Sequence, residues 1–198
     1  MKIVGISCSP RKGKITKFAL ETCLQAVKET APDVEIMVID LSELKVNGCI
    51  ACGKCMKVLE CSQEDDFAKM IPILSDPALA GLVVATPVYL GSMTSQCKAF
   101  LDRCVMFRRN GFLLRDKVGG VIAVGGARNG GQELTIQSVH AAMLVQDMVV
   151  VSEGKPTSHY GATLWSGHPD GIKKDTFGLE TARNLGKRVA EVAVKMHR

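Results

Sequence analysis

Short apolar runs alternate with longer amphipathic segments along the whole chain. Five of the apolar runs are rich in Val and Ile and are mostly continuous, which is typical of parallel strands that are covered on both faces. They predict β-strands over residues 2–7, 34–40, 79–86, 118–125 and 148–151.

Between these runs, apolar residues recur every three or four positions, which is the spacing of one face of an α-helix. The first such segment carries Leu20, Leu24 and Val27 on one face, and Pro32 ends it. The pattern predicts helices over residues 16–31, 94–109, 132–146 and 177–196. Strands that alternate with helices indicate an α/β protein with a doubly wound, five-stranded parallel sheet, and the length suits one domain over residues 1–198.

In such sheets ligands bind at the carboxyl ends of the strands, so the segment after the first strand is a candidate site. Residues 7–17 bring hydroxyl groups, the guanidinium of Arg11 and backbone N–H groups to the start of a helix, where the dipole favours an anion. The spacing matches neither a Walker A loop nor a Gly-x-Gly-x-x-Gly dinucleotide turn. We therefore expect a phosphate site of another kind; the alternative is a polar connection in which Thr16 caps the helix.

The segments after the third and fourth strands complete this edge of the sheet. Tyr89 offers a flat face to a planar ring, and Gly91 allows a ligand to approach the backbone closely. Residues 125–131 are rich in glycine, which suits hydrogen bonds from their amides to a polar heterocycle. Each segment alone is also compatible with a simple turn, but together with a phosphate site they indicate a flat, phosphorylated cofactor such as FMN.

Three motifs then resemble those of a known family. They are Ser9-Pro10-Arg11-Lys12 with Thr16, the run Thr86-Pro-Val-Tyr-Leu-Gly-Ser followed by Lys98-Ala-Phe-Leu-Asp-Arg, and Gly125-Gly-Ala-Arg with Gly130-Gly-Gln-Glu. The set is similar to the phosphate and flavin-ring loops of the NADPH-dependent FMN reductase superfamily, which implies a flavodoxin-like fold and bound FMN.

The resemblance also implies the residues that contact the cofactor. The phosphate would be held by Ser9, Arg11, Lys14, Thr16 and Lys17. The flavin ring would be framed by Pro87, Val88, Tyr89, Leu90, Gly91, Ser92 and Met93 and by Gly126, Asn129, Gly130 and Gly131. The family usually has Asn-Gly where this chain has Gly13-Lys14, so this chain carries an additional positive charge beside the phosphate.

Composition adds a second centre, because the chain has eight cysteines and four of them lie between positions 49 and 61. Their spacing is C-x2-C-x2-C-x5-C; the first three repeat the ferredoxin spacing, and Ser62 rather than Pro follows the last. We predict that residues 47–64 form an inserted loop that binds one [4Fe–4S] cluster through Cys49, Cys52, Cys55 and Cys61. The alternatives are a structural zinc site, a redox-active Cys-x-x-Cys pair and a loop that binds nothing.

Within the superfamily, this compact four-cysteine loop resembles that of the iron–sulfur flavoproteins. The resemblance implies a homodimer or homotetramer in which the cluster and FMN exchange electrons, and hence a flavin-dependent oxidoreductase without a Ser/His/Asp triad or other catalytic side chain. Its partners would be a ferredoxin-like donor or NAD(P)H and a small-molecule acceptor. The alternatives are an NAD(P)H-dependent reductase of FMN, quinones or nitro compounds with a structural cysteine loop, and a non-catalytic flavodoxin-like electron carrier.

The remaining composition excludes other classes. The net charge is +5, but the basic residues are scattered and aromatic residues are only 5%, so we expect no nucleic-acid partner. No apolar stretch reaches the length of a membrane span, and the first residues lack a signal-peptide pattern, so we expect a cytoplasmic protein with reduced thiols. Cys23, Cys97 and Cys104 lie on apolar helix faces and are predicted to be core thiols, whereas Cys8 has no assigned role.

Overall fold

The computed structural model describes residues 1–197, in which strands and helices alternate as the sequence pattern predicts. The strands are β1 Lys2–Ser7, β2 Glu35–Asp40, β3 Leu79–Pro87, β4 Val118–Gly125, β5 Val149–Val150 and β6 Ala162–Trp165. The helices are α1 Ile15–Thr30, α2 Phe67–Leu74, α3 Ser95–Arg103, α4 Val105–Arg109, α5 Gln132–Val145 and α6 Thr176–Met196. Three short 3-10 turns lie at Leu41–Glu43, Lys54–Met56 and Ile172–Lys174.

All strand pairs of the sheet are parallel, in the order β2-β1-β3-β4-β5. The fifth position in the sheet is shared by two segments: β5 pairs with Val118 and Gly119, and β6 pairs with β4 from Ile122 to Gly125. The predicted doubly wound parallel fold is confirmed. The sequence pattern did not predict α2, whose eight residues contain Pro72. It also did not predict β6, whose four residues include only one β-branched side chain, Thr163, and lie between glycine-containing segments.

Helices cover both faces of the sheet, which explains why β1, β3 and β4 are buried along nearly their whole length. On one face, α2, α3 and α4 bring together the buried rings of Phe67, Phe100 and Phe107. On the other face α1 packs against α6, and a Cβ atom on Gly186 would overlap with the carbonyl oxygen of Cys23. The close contact between these two helices therefore requires glycine at position 186.

The helix predicted over residues 94–109 is two helices, α3 and α4. The N–H of Cys104 donates to the carbonyl oxygens of both Phe100 and Leu101, at 3.1 and 3.2 Å, and the N–H of Phe107 donates to the carbonyl of Cys104. This local tightening interrupts the regular ladder at Cys104 without proline or glycine, so the sequence carries no signal for it. The break turns α4 toward the cysteine loop.

Hydrogen bonds from one threonine join the loops at the carboxyl edge of the sheet. The hydroxyl of Thr94 donates to the carbonyl oxygen of Cys8 at 2.8 Å and accepts from the N–H of Cys97 at 3.2 Å, so it also caps α3. The loops after β1 and β3 are thereby held side by side. Among the described residues, no helix is long and apolar enough to cross a membrane.

Candidate functional site

The loop between β1 and α1 presents cations and free N–H groups at a helix N-terminus. Ser9 is buried, and its hydroxyl oxygen accepts from the N–H of Arg11 at 3.1 Å, which turns the loop back on itself. Lys14 is the N-cap and makes no side-chain capping bond, while Thr16 is buried inside the first turn. Thr16 is therefore not the cap, and the first-turn N–H groups are open to an anion.

The charged side chains of this loop differ in their partners. Lys12 pairs with Glu43 at 2.5 Å, and Lys17 lies 3.7 Å from the buried carboxylate of Asp40. Within residues 1–197, Arg11 and Lys14 form no ion pair. These two exposed cations are the ones left to neutralise a bound phosphate.

The loop after β3 ends in a tight two-residue turn. Tyr89 and Ser92 exchange backbone hydrogen bonds of 2.8 and 3.1 Å, and both residues between them have positive φ, 50° at Leu90 and 74° at Gly91. The side chain of Leu90 is completely exposed, and Tyr89 is about half exposed. The turn thus presents a strained backbone and apolar side chains at the rim of the site.

The loop after β4 is closed by the side chain of Gln132. Its Nε2 donates to the carbonyl of Ala127 at 2.6 Å, and its Oε1 accepts from the N–H of Gly130 at 2.8 Å. A Cβ atom on Gly131 would lie 3.1 Å from the Cα of Gly91, so the loops after β3 and β4 are neighbours. They form adjacent walls of one site.

The three loops leave open space where a ligand would approach. A Cβ atom placed on Gly13, Gly91 or Gly126 would meet no atom within 4 Å. Open glycine backbone on each loop, two cations at one end and an apolar turn at the other fit a flat ring carrying a phosphate. The structure thus brings together the three loops that the sequence predicts as the FMN site.

A fourth segment, which no sequence motif indicates, reaches this site. The indole Nε1 of Trp165 donates to the carbonyl of Gly126 at 2.9 Å, and Arg128 pairs with the buried carboxylate of Asp175. Asp175 precedes α6 and accepts from the N–H of Gly178. The contacts span about 40 residues or more of sequence, so no local pattern could have predicted them.

The cysteine loop forms a second candidate centre, and all four predicted ligands line one small cavity. Cys49 and Cys52 are exposed, whereas Cys55 and Cys61 are half-buried. The opposite wall is formed by the end of α3 and by α4, through Arg103, Val105, Met106 and Arg109.

Hydrogen-bond donors surround the sulfur atoms. The Ser62 hydroxyl donates to Cys52 Sγ at 2.9 Å, which lowers the pKa of that thiol, and Arg109 Nη1 donates to Cys55 Sγ at 3.3 Å. The N–H of Ala51 donates to Cys49 Sγ at 3.4 Å. Donors of this kind stabilise thiolates and the negative charge of a metal centre.

A buried ion pair holds the base of the cysteine loop. Arg103 bonds Asp65 through two hydrogen bonds of 2.8 and 3.0 Å, and both side chains are almost completely buried. Arg103 also donates to the carbonyl of Asn47, while Asp65 accepts from the N–H groups of Asn47 and Phe67. Asp65 therefore bonds the first residue of α2, and the same carboxylate joins the two ends of the loop.

The arrangement separates the alternatives for this loop. The four thiols line the cavity without meeting at one point: among residues 1–197, no three His, Cys, Asp or Glu side chains lie close enough to hold one metal ion. Cys52 and Cys55 flank a three-residue 3-10 turn rather than opening an α-helix, which disfavours a thioredoxin-type pair. Four thiols spread around one cavity fit a polynuclear cluster better.

The other four thiols are buried away from this cavity. Cys23, Cys97 and Cys104 belong to the core, as predicted, and so does Cys8, the first residue after β1. Burial raises the pKa of Cys23 to about 12, so this thiol stays protonated. The chain thus separates inert thiols from accessible ones.

The chain is similar to known proteins over nearly its whole length. A model of the family described as NADPH-dependent FMN reductase matches residues 1–163. An iron–sulfur flavoprotein of Methanocaldococcus jannaschii is 42% identical over 192 residues, 97% of each chain. An iron–sulfur flavoprotein of Methanosarcina thermophila is 38% identical over 192 residues, 97% of this chain and 95% of the other.

Solved structures agree in fold. A WrbA-like flavodoxin protein from Agrobacterium tumefaciens superposes with a TM-score of 0.66 at 21% identity, over 98% of each chain. An NADH:FMN oxidoreductase superposes with a TM-score of 0.68 at 22% identity, over 96% of this chain and 88% of the other.

Proposed function

Because the chain belongs to the NADPH-dependent FMN reductase family and, within it, to the iron–sulfur flavoproteins, we propose that it is a flavin-dependent oxidoreductase. FMN at the three loops would exchange electrons with a [4Fe–4S] cluster in the cysteine cavity. The observation that carries this proposal is the convergence of all four loop thiols on one cavity in a chain that also has an open flavin-type site.

The FMN site combines fixed charge with open backbone. We propose that Arg11 and Lys14 neutralise the phosphate at the N-terminus of α1, with Ser9, Thr16 and Lys17 beside them. The flavin ring would lie between the loop over residues 87–93 and the loop formed by Gly126, Asn129, Gly130 and Gly131. The open space at Gly91 and Gly126 supports this placement, because it allows the ring to reach the backbone amides.

The cluster would be held by Cys49, Cys52, Cys55 and Cys61 on residues 47–64, an insertion in one flavin-binding domain. The hydroxyl of Ser62 and the guanidinium of Arg109 would donate to its sulfur ligands and raise its reduction potential. When bound, FMN supplies two-electron chemistry and the cluster supplies one-electron chemistry, so the protein can couple a two-electron donor or acceptor to one-electron carriers.

The surface around the cysteine loop favours an acidic, ferredoxin-like carrier as the one-electron partner. Ile50 and Met56 are exposed on the loop itself. Lys57 lines a groove on one side of the loop, beside Lys54, which pairs with Glu60, and Arg108 and Arg109 line another groove. An apolar centre with a basic rim complements an acidic protein, and the net charge of +5 supports the same choice. NAD(P)H would be the alternative donor, acting directly at the flavin with a small-molecule acceptor.

We also infer that electrons pass between copies of the chain in a homodimer or homotetramer. The nine residues of α3 run from the flavin loop at Ser95 to the cysteine cavity at Arg103, a length of about 13 Å. A second copy packed against the cysteine loop could bring its flavin closer than the flavin of the same chain. Sedimentation of the reconstituted protein tests this inference, and a monomer at micromolar concentration would contradict it.

The accessible thiols of the loop also indicate a reducing compartment. Cys49 and Cys52 are exposed, and cysteines that ligate a cluster must be kept reduced. We infer a cytoplasmic location, which fractionation of the native cells would test.

The decisive experiment is anaerobic reconstitution followed by measurement of FMN, iron and sulfide per chain. We expect the protein to bind FMN and to contain as much sulfide as iron. We also expect a broad absorbance near 400 nm beyond that of flavin. Cys49→Ser should lose the iron and sulfide and keep FMN, whereas the control Cys23→Ala, which alters a buried core thiol, should keep both. Protein that binds flavin but no iron, and that oxidises NADPH rapidly with a quinone, would instead support the plain reductase.

The flavin site has its own test. Arg11→Ala should weaken FMN binding without changing the iron content, because Arg11 forms no ion pair within the described chain and its charge is available to the phosphate. Lys187→Ala on the exposed side of α6 is the matched control for the loss of one positive charge. Wild-type protein that binds no FMN in excess cofactor would refute the proposal at its base.

The carrier surface is tested by charge reversal. Lys57→Glu should slow electron exchange with an acidic ferredoxin and weaken its dependence on ionic strength, whereas Lys187→Glu should leave both unchanged. Equal effects of the two variants would mean that only net charge matters and that the cysteine loop is not the docking surface.

A further inference from the structure

We propose that Asp175 is a positioning residue for the flavin loop: through Arg128 and Trp165 it holds residues 126–131 in their ligand-binding conformation and balances the charge beside the flavin ring. This inference rests on the proposed function, because it takes these loops as the FMN site. We call Arg128, Trp165 and Asp175 the Asp175 cluster.

Asp175 is a buried carboxylate with each oxygen engaged. Its Oδ2 accepts from the backbone N–H of Trp165 at 2.7 Å, and its Oδ1 accepts from the N–H of Gly178 at 3.2 Å. The same Oδ1 forms the ion pair with Arg128. One side chain therefore joins the end of β6, the first turn of α6 and the flavin loop.

The Asp175 cluster acts on the flavin loop at several points. The indole N–H of Trp165 donates to the carbonyl of Gly126, and the guanidinium of Arg128 lies 5.5 Å from the centre of the Trp165 ring. Next to them, the N–H of Ser166 donates to the carbonyl of Gly125 at 2.8 Å. Arg128 itself lies between Gly126 and Asn129, two of the proposed flavin contacts.

Two glycines allow these elements to approach so closely. A Cβ atom on Gly167 would overlap with the carbonyl oxygen of Gly126, and a Cβ atom on Gly178 would overlap with the carboxylate of Asp175. Glycine at both positions lets the segment after β6 and the first turn of α6 pack directly on the flavin loop. The contact is therefore built into the sequence of three separate elements.

A glycine-rich loop loses much conformational entropy when it is ordered. If the loop were disordered before FMN binds, the entropy lost on ordering it would weaken flavin binding. The Asp175 cluster orders residues 126–128 before any ligand arrives, and Gln132 orders residues 127–130 from the other side. The structure thus assigns preorganisation of the loop to a carboxylate that does not belong to the loop.

The ion pair also sets the charge near the ring. Reduction adds negative charge to the flavin, so a nearby unpaired cation favours the reduced form and an unpaired anion disfavours it. Asp175→Asn removes the partner of Arg128 and leaves the cation, whereas Arg128→Gln leaves the carboxylate. The two variants should therefore move the flavin midpoint potential in opposite directions, upward for Asp175→Asn and downward for Arg128→Gln.

The experiment measures FMN affinity, the flavin midpoint potential and the fluorescence of the FMN-free protein. Both variants should bind FMN about tenfold more weakly, the effect of losing one hydrogen bond to a charged group. Trp165→Phe, which removes only the indole donor, should weaken binding without moving the potential. Because Trp165 is the only tryptophan, its emission in FMN-free Asp175→Asn should shift to longer wavelength as the ring becomes more exposed.

The control is Asp76→Asn, which breaks an ion pair of 2.8 Å with Lys2 at the opposite edge of the sheet. It should leave affinity, potential and emission unchanged. Potentials of Asp175→Asn and Arg128→Gln that move in the same direction, or that stay at the wild-type value with unchanged affinity, would overturn the role of Asp175 while leaving the FMN proposal intact. Wild-type protein that binds no FMN would instead refute the proposed function.

Discussion

Removal of the Asp65 carboxylate is expected to destabilise the protein strongly. Asp65 and Arg103 form two hydrogen bonds, and only 0% and 2% of their side-chain surfaces are exposed. Asp65→Ala leaves the buried guanidinium without its counter-ion, which costs about 3–5 kcal/mol of unfolding free energy. Loss of the hydrogen bond to the N–H of Phe67 at the start of α2 adds about 1 kcal/mol.

An exposed ion pair on α3, the helix that carries Arg103, provides the control. Lys98 and Asp102 lie 2.6 Å apart on α3, but about half of each side chain is exposed. Asp102→Ala should therefore cost only about 0.3–0.5 kcal/mol. The assay is urea unfolding of the cofactor-free protein, followed by circular dichroism. If Asp65→Ala loses no more stability than Asp102→Ala, the buried pair does not hold the cysteine loop and the reasoning is wrong.

The same pair predicts a dependence on pH. Burial alone would raise the pKa of Asp65. The hydrogen bonds from Arg103 and from the N–H groups of Asn47 and Phe67 lower the pKa by more than burial raises it, so the net shift is downward. A carboxyl whose folded pKa is depressed contributes stability above its unfolded pKa, about 3.9, and loses it as the pH falls through the folded value. The difference in stability between wild type and Asp65→Ala should thus be full at neutral pH and shrink below about pH 4.

Three further substitutions test other parts of the structure. Leu90→Asn should raise the melting temperature by about 2–4 °C, because Leu at φ 50° costs about 1 kcal/mol that Asn largely avoids; an unchanged melting temperature would contradict the strain at this turn. Gly186→Ala should lower the unfolding free energy measured in urea by about 1–3 kcal/mol, because the new Cβ overlaps with the carbonyl of Cys23. This loss should exceed the gain from the higher helix propensity of alanine. A gain in stability would show that α1 and α6 can separate without cost. Ser62→Ala should lower the midpoint potential of the reconstituted cluster in an EPR titration without changing its iron content, and an unchanged potential would exclude the hydrogen bond to Cys52.

Local sequence patterns were sufficient for the fold and for the family. The Val- and Ile-rich runs predicted β1 to β4 within one or two residues, because strands buried on both faces leave a continuous apolar signal. The family prediction is confirmed by the family match and by the similar relatives. It could be made from the sequence because each motif lies within one short segment. The break at Cys104 and the strand β6 were missed, because tertiary contacts rather than residue preferences determine them.

The contacts that fix the two loops could not be predicted in the same way. Asp65 and Arg103 are separated by 38 positions, and Arg128 and Asp175 by 47. A carboxylate before a helix is a common cap, so the sequence around either aspartate indicates only a helix start. Their second role depends on which arginine the fold brings to them.

The loops of both candidate centres are nevertheless held in the same way. In each, a loop with little structure of its own must be held for a cofactor, and a buried aspartate at a helix N-terminus binds an arginine from a distant element. Asp65 also accepts from Phe67 of α2, and Asp175 from Gly178 of α6. The positive end of the helix dipole attracts the carboxylate, and the carboxylate keeps the arginine in place.

The two pairs should act independently, because they hold different loops at opposite ends of α3 and share no partner. Asp65→Asn should therefore lower the iron content on reconstitution and leave FMN affinity unchanged. Asp175→Asn should weaken FMN affinity and leave the iron content unchanged. In the double variant both losses should add, since neither aspartate contacts the other loop. A defect in both cofactors from either single change would mean that the loops are coupled through the body of the protein, and that the two aspartates belong to one network rather than two.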